Sequence, residues 1–265
     1  MVNAGQAGRD RNLSFIGPPK SGKTYAMCET RFYRMRTVYI DITDDPATLA
    51  SVSSPLLPPS TPGFIEQWAK SGAISSAALN DLSCHLTLHA GSLIDDPKEL
   101  LRVCRTVTAA ASGSPGRWTF YLDEVGALVQ HGHRKLVEHF AAVARLGRQK
   151  GVSVCTGTHR PQEMPPPFRA VTEETWLTGC GNYADYEFVR RSMGGPELVE
   201  AVRQVSAYRA AAKTAGRPEY PFVRKLHSGE HKWSRKDGEP EWLVSSNGDW
   251  CVTEQVGGGR LGRRQ

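Results

Sequence analysis

Residues 13 to 27 read LSFIGPPKSGKTYAM. An apolar run, Leu13 to Ile16, stops at Gly17, and the next eight residues, Gly17-Pro18-Pro19-Lys20-Ser21-Gly22-Lys23-Thr24, satisfy the pattern GxxxxGK[ST]. A helical pattern over 22–35 follows, with Met27, Phe32 and Met35 as its apolar positions. A strand that turns through glycines into a helix offers successive backbone N–H groups, and the positive end of the helix, to an anion. Pro18 and Pro19 carry no N–H, so the donors begin at Lys20. The pattern predicts a bound triphosphate cradled by Gly17, Lys20, Ser21, Gly22, Lys23 and Thr24. Lys23 would reach the β- and γ-phosphates, and the Thr24 hydroxyl would ligate Mg²⁺.

Two further segments bear on the same chemistry. WTFYLDE at 118–124 reads as a buried strand ending in Asp123 and Glu124. Adjacent side chains on a strand point to opposite faces, but at a carboxyl edge both can bend into the crevice where ligands bind. Asp123 is then the second Mg²⁺ ligand, held through water, and Glu124 the group that polarises an attacking water. A pair of acids at a strand end is, by itself, as consistent with a solvated turn. The next strand, GVSVCTGT at 151–158, ends at Thr158-His159-Arg160-Pro161. A polar tip there, His159, lies between the carboxylates and the γ-phosphate; the competing reading is a turn set by Pro161.

The rest of the chain alternates strands with helices: TVYIDI at 37–42, HLTLHA at 85–90, a helix after Asp96, a helix over 134–148, TWLTG at 175–179, and helical patterns at 183–193 and 196–213. This alternation predicts an α/β fold with a mainly parallel sheet covered by helices. SVSSPLLPPSTP at 51–62 has eight Pro or Ser in twelve and reads as a loop, with short helices at 63–70 and 73–82. Residues 1–12 read as a flexible N-terminus, 13–213 as the nucleotide-binding domain with a Pro/Ser-rich loop at about 44–82, and 214–265 as a small basic C-terminal extension.

The chain has 265 residues, 39% of them apolar, enough for a sizeable core. No run approaches the roughly 18 uncharged apolar residues of a membrane span, so none is expected. The N-terminus lacks the apolar stretch of a secretory signal. Six widely spaced cysteines with no CxxC pair argue against structural zinc and a disulfide framework. The formal charge of +6 is concentrated in residues 201–265, with 12 Lys+Arg against 7 Asp+Glu, ending in GGGRLGRRQ. A polyanion site and a solvated tail both fit that run. His131, His133 and His139 offer an HxH with a third imidazole, but without an acidic or Cys partner set they read as exposed polar residues.

Taken together, GPPKSGKT, HLTLHAGSLIDDPKELLRVC, FYLDEVGAL and ARLGRQKGVSVCTGTHRP resemble the motor domain of the FtsK/HerA superfamily of DNA-pumping ATPases. The likeness covers about 13–195, since WLTGCGNYADYEFVRRSMGG is similar to that family's closing strand and helix. It implies a RecA-like P-loop NTPase with ATP and Mg²⁺ as cofactors. It also implies a ring, usually hexameric, that threads double-stranded DNA without regard to sequence. His159 stands where the family carries a sensor glutamine. Arg145 and Arg148 are candidates for an arginine finger reaching a neighbouring subunit, although cations complementing a helix C-terminus fit equally. Tyr25 completes a GKTY start and is counted with the nucleotide-binding residues.

Among such motors, a minimal chain most resembles the genome-packaging ATPases of tailless, often membrane-containing, icosahedral viruses. The resemblance then implies partners at a capsid vertex or among membrane-associated virion proteins, and a place in the host cytoplasm or the virion. Two alternatives stay open. One is a Zot-like morphogenesis or secretion ATPase moving a protein–DNA complex; the other is a nucleotide-gated capsid-vertex scaffold that does not cycle.

Overall fold

The computed structural model describes residues 11–32, 34, 36–41, 85–89, 94–114, 116–216, 222–226, 242–246 and 249–252. The expected loop at 51–62, the helices at 63–70 and 73–82, and the GGGRLGRRQ tail lie outside the described residues.

The strands are β1 (Leu13–Ile16), β2 (Arg36–Asp41), β3 (His85–His89), β4 (Trp118–Leu122), β5 (Val152–Thr158), β6 (Glu174–Leu177), β7 (Phe222–Leu226), β8 (Trp242–Ser246) and β9 (Asp249–Val252). The helices are α1 (Lys23–Phe32), α2 (Pro97–Gly113), α3 (Val125–Gln130), α4 (Arg134–Leu146), α5 (Pro166–Arg169), α6 (Tyr183–Val189) and α7 (Gly195–Thr214). All the strands join one sheet in the order β3-β2-β4-β5-β1-β6-β7-β8-β9. The six strands from β3 to β6 are parallel, and β7, β8 and β9 continue antiparallel from β6. The α/β expectation is met. The C-terminal segments EYPFVRKL, EWLVS and DWCVT, which read in the sequence as short strands and turns, supply β7, β8 and β9 and extend the same sheet.

The core explains why the central strands read as unbroken apolar runs. Every residue of β1, β4 and β5 is buried, as parallel strands covered on both faces must be. Alternate side chains feed two clusters. Trp118, Phe120 and Leu122 of β4 join Leu100, Val107, Phe140, Val202 and Val205 from α2, α4 and α7. Tyr121, with Phe15, Tyr39, Cys155 and Trp176, packs on Ala26 and Met27 of α1. Sequence signals mark the helix starts: Asp96 accepts from the Lys98 and Glu99 amides, both at 3.1 Å, ahead of Pro97. Asn182 and Asp185 close a reciprocal capping box on α6.

Two details differ from the sequence reading. β4 ends at Leu122 instead of running to Glu124, and α3 begins directly after it. Six residues are too few for a period of 3.6 to declare itself, so α3 has no signature. The histidines are also not uniformly exposed. His133 is buried with Nε2 at 2.7 Å from the Ile94 carbonyl, and half-buried His139 meets the Thr108 hydroxyl at 3.0 Å. His131 alone is exposed, and among the described residues no cluster of metal-ligating side chains forms.

Candidate nucleotide-binding site

β1, β4 and β5 end on one edge of the sheet, and with β5 lying between the other two, their tips stand side by side. The chain leaves β1 at Gly17, whose N–H donates to the Thr158 carbonyl at the tip of β5 (3.2 Å). Pro18 and Pro19 carry it outward, and the Ser21 N–H closes a turn on the Pro18 carbonyl at 3.2 Å. Lys20 (φ 61°) and Gly22 (φ 90°) both take left-handed backbone conformations, curling the segment into α1. Ser21 thus serves as a brace: its N–H is used inside the loop, and its hydroxyl lies 2.5 Å from that of Thr178 at the tip of β6. The amides of Lys20, Gly22, Lys23 and Thr24 remain for an anion.

Lys23 is 5% exposed and is engaged by both acids of the β4 tip, with Nζ 3.2 Å from Asp123 Oδ1 and in contact with Glu124 Oε1. Two adjacent acids reach one ammonium because Glu124 sits at φ 51°, ψ 50°. That left-handed residue ends the strand's alternation and brings the Glu124 carboxylate to the side where Asp123 already points, at a cost of about 1–2 kcal/mol for a non-glycine residue. Burial pulls the Lys23 pKa below its ordinary value, against the opposing pull of Asp123 and Glu163. An incoming phosphate would offset that desolvation with its own negative charge.

Asp123 is itself oriented. The Tyr39 hydroxyl on β2 donates to Oδ2 at 2.6 Å, and the Glu124 N–H donates to Oδ1 at 3.0 Å. Gly157 on β5 leaves the space this carboxylate occupies, since a Cβ there would lie 2.6 Å from Oδ1. Mg²⁺ binds through one or two carboxylates and keeps several waters and phosphate oxygens. One fixed carboxylate beside an anion cradle, with Thr24 at the start of α1, fits that requirement.

His159, at the end of β5, places Nε2 3.4 Å from Glu124 Oε1. Burial, then the Lys23 charge, lowers its pKa, while the Gly17 carbonyl and Asp123 pull the other way. The ring is therefore neutral near pH 7, able to donate from one nitrogen and accept at the other. Thr158 Oγ1, on the residue before it, is buried without a hydrogen-bond partner.

The structure therefore gathers Gly17, Lys20, Ser21, Gly22, Lys23, Thr24, Asp123, Glu124 and His159 at one edge. Tyr25 lies in α1, its side chain outside what is described. Arg145 is exposed in the last turn of α4, and Arg148 follows in a short turn with its side chain outside the described part. Both precede β5, at the amino edge of the sheet, where the Ala144 carbonyl accepts from Asn12 at 2.9 Å. About 20 Å of strand separates that edge from the phosphate loop. Arg145 does not join this chain's own site, and the backbone of Arg148 lies at that same far edge.

Three contributors have no sequence signature: Tyr39, Thr178, and Arg209 of α7, which donates to the Ser21 carbonyl at 3.2 Å and to the Thr178 carbonyl. Tyr39 reads as one more apolar position of a strand. A polar residue ending the strand after the HRP turn is the only hint of Thr178.

No family profile matches the sequence, and no curated protein resembles it in sequence. The structure is similar to the DNA-packaging ATPase B204 of Sulfolobus turreted icosahedral virus, with 12% identity and a TM-score of 0.51 over 83% of this chain and 93% of that one. B204 of Sulfolobus turreted icosahedral virus 2 in complex with ATP-gammaS matches with 10% identity and a TM-score of 0.48, over 82% of this chain and 93% of its own. The cytoplasmic domain of the type VII secretion ATPase EccC of Thermomonospora curvata matches with 15% identity and a TM-score of 0.41, over 82% of this chain and 24% of that one. At such identities the likeness is one of fold. It is the P-loop ATPase fold that the four sequence motifs resemble.

Proposed function

We propose that the chain is an ATP-driven translocase of double-stranded DNA that packages a viral genome into a preformed capsid, working as a ring of identical subunits at a capsid vertex. The observation that carries this reading is the convergence of Lys23, Asp123, Glu124 and His159 on one crevice beside a loop of free amides. The fold shared with a DNA-packaging ATPase supports it.

Phosphoryl transfer needs positioning and charge neutralisation more than covalent chemistry from the protein. The loop amides and Lys23 hold the phosphates, and Lys23 gives up its carboxylate partners to do so. Thr24 and Asp123 would hold Mg²⁺, which would supply neutralisation of phosphate charge there. Glu124, once released from Lys23, accepts hydrogen bonds from the attacking water. His159, beside it, orients that water or contacts the γ-phosphate. Arg145 or Arg148 serves the neighbouring subunit's site in the ring. DNA contact is with phosphates, hence independent of sequence and sensitive to salt.

The test is hydrolysis by the folded full-length chain with and without linear duplex DNA. Lys23→Ala and Glu124→Gln are each expected to abolish DNA-stimulated turnover. Undiminished turnover in both would overturn the reading. Wild-type hydrolysis that ignores duplex but responds to a coat or membrane partner would replace it with the secretion-type motor, and a single turnover without cycling with the scaffold.

A further inference from the structure

With the Ser21 N–H spent on Pro18, the anion site depends on how few peptide groups are turned, and on which way. A peptide is planar and trans, so the C=O of one residue and the N–H of the next point in opposite directions. The Ser21 carbonyl is held: Nη1 of Arg209, near the end of α7, donates to it at 3.2 Å, and the same nitrogen donates to the Thr178 carbonyl. Thr178 tops β6, which flanks β1 on the side away from β5 and β4. A Ser21 carbonyl drawn toward that side leaves the Gly22 N–H facing the other way, toward the β5 and β4 tips where Lys23, Asp123 and Glu124 gather.

Nothing in the covalent chain fixes that orientation. Gly22 has φ 90°, and glycine tolerates either setting of the preceding peptide. The restraint comes from across the fold, with a second tie in the 2.5 Å contact between the Ser21 and Thr178 hydroxyls. Gly17 makes this closeness possible, because a Cβ there would lie 1.9 Å from Thr178 Oγ1.

We propose that Arg209 is a positioning residue of the nucleotide site, holding the Ser21–Gly22 peptide with its N–H toward the phosphates and thereby setting affinity for a triphosphate. This rests on reading residues 17–24 as a phosphate loop. A donor fixed before the ligand arrives costs no reorganisation on binding, whereas a peptide free to flip presents its carbonyl to the anion part of the time. α7 is thereby part of the site, although its sequence carries no nucleotide-binding pattern.

The experiment measures binding of Mg·ATPγS, and of inorganic tripolyphosphate as a probe without a base, to the full chain and to R209M, R209K and K23A, with amide hydrogen exchange on each. R209M keeps the aliphatic stem and deletes the donors. It is expected to weaken both ligands about tenfold or more, the worth of one hydrogen bond to a charged group, with ligand-induced protection lost at residues 20–24. R209K is expected to recover part of the affinity, and exchange in α7 is expected to match the wild type. Wild-type affinity in R209M would overturn the proposal. So would an affinity loss accompanied by equal loss of protection throughout α7, which would mark Arg209 as a packing residue. Wild-type tripolyphosphate binding by K23A would instead sink the phosphate-loop reading itself.

Discussion

The two edges of the sheet both bury opposite charges, and they do so in contrasting ways. At the amino edge, Glu174 opens β6 fully buried, accepting from Trp176 Nε1 at 2.5 Å and from Arg224 Nη2 at 2.8 Å, with Arg11 at 3.5 Å. Each carboxylate oxygen has a fixed donor. At the carboxyl edge, Lys23 is shared between two acids, one in a left-handed conformation, and Thr158 Oγ1 at the tip of β5 is buried without a hydrogen-bond partner. Buried polar groups are normally satisfied, so an unpartnered hydroxyl and a strained backbone beside a shared ammonium mark an edge with capacity for a ligand. The amino edge holds the fold; the carboxyl edge is held by it.

Breaking the satisfied edge should therefore have the largest effect on stability. Glu174→Gln leaves Arg224 buried opposite a neutral amide, and Arg224→Met leaves Glu174 with its other donors alone. Each is expected to cost about 3–5 kcal/mol, while the double replacement by apolar residues recovers most of the loss. Denaturant unfolding of the three variants measures it. Single-variant losses below about 1 kcal/mol would show that this edge is no better organised than the other.

At the strained edge the sign should reverse. Glu124→Asn places in the left-handed position a residue that tolerates it, and leaves Lys23 paired with Asp123. Stability is expected to rise by up to about 1 kcal/mol while hydrolysis disappears, the trade expected where strain serves function. Unfolding midpoints and turnover on the same preparation check both halves. A stability loss would mean that the Glu124 contact with Lys23 outweighs the backbone cost, making the two edges alike.

The contrast also explains what the sequence disclosed. The phosphate loop, the acids ending β4 and the tip of β5 are local patterns, each legible within ten residues, and the unbroken apolar strands forecast a sheet covered on both faces. The left-handed turn at Glu124 was not legible, because an acid there looks the same whether it continues a strand or ends one. Tyr39 and Arg209 were hidden for another reason: they meet Asp123 and Ser21 across 84 and 188 positions of sequence, and only the assembled sheet brings them together. Composition placed the basic excess at the C-terminus but gave no sign that β7 would pair with β6.

The smallest expected effect separates the edge from its surroundings by pH. Burial lowers the pKa of two imidazoles: His159 at the crevice, where Lys23 adds to the shift, and His139 on α4, where Arg105 does. For each, the unfolded chain takes up a proton near the ordinary value of about 6.5 while the folded chain does not. The unfolded state then binds more protons, so stability is full above that pH and declines as pH falls from there toward the folded-state value. His159→Gln and His139→Gln should each flatten that decline in the protein without nucleotide. Adding ATP should distinguish them, since a triphosphate beside His159 favours its charged form and raises its pKa, removing its share of the acid loss. His139, packed between α2 and α4 against Thr108, has no such neighbour and should keep its share. Unfolding free energies between pH 7 and 5, with and without ATP, for the wild type and both variants decide it. If ATP changes the two contributions equally, His159 does not face the phosphates.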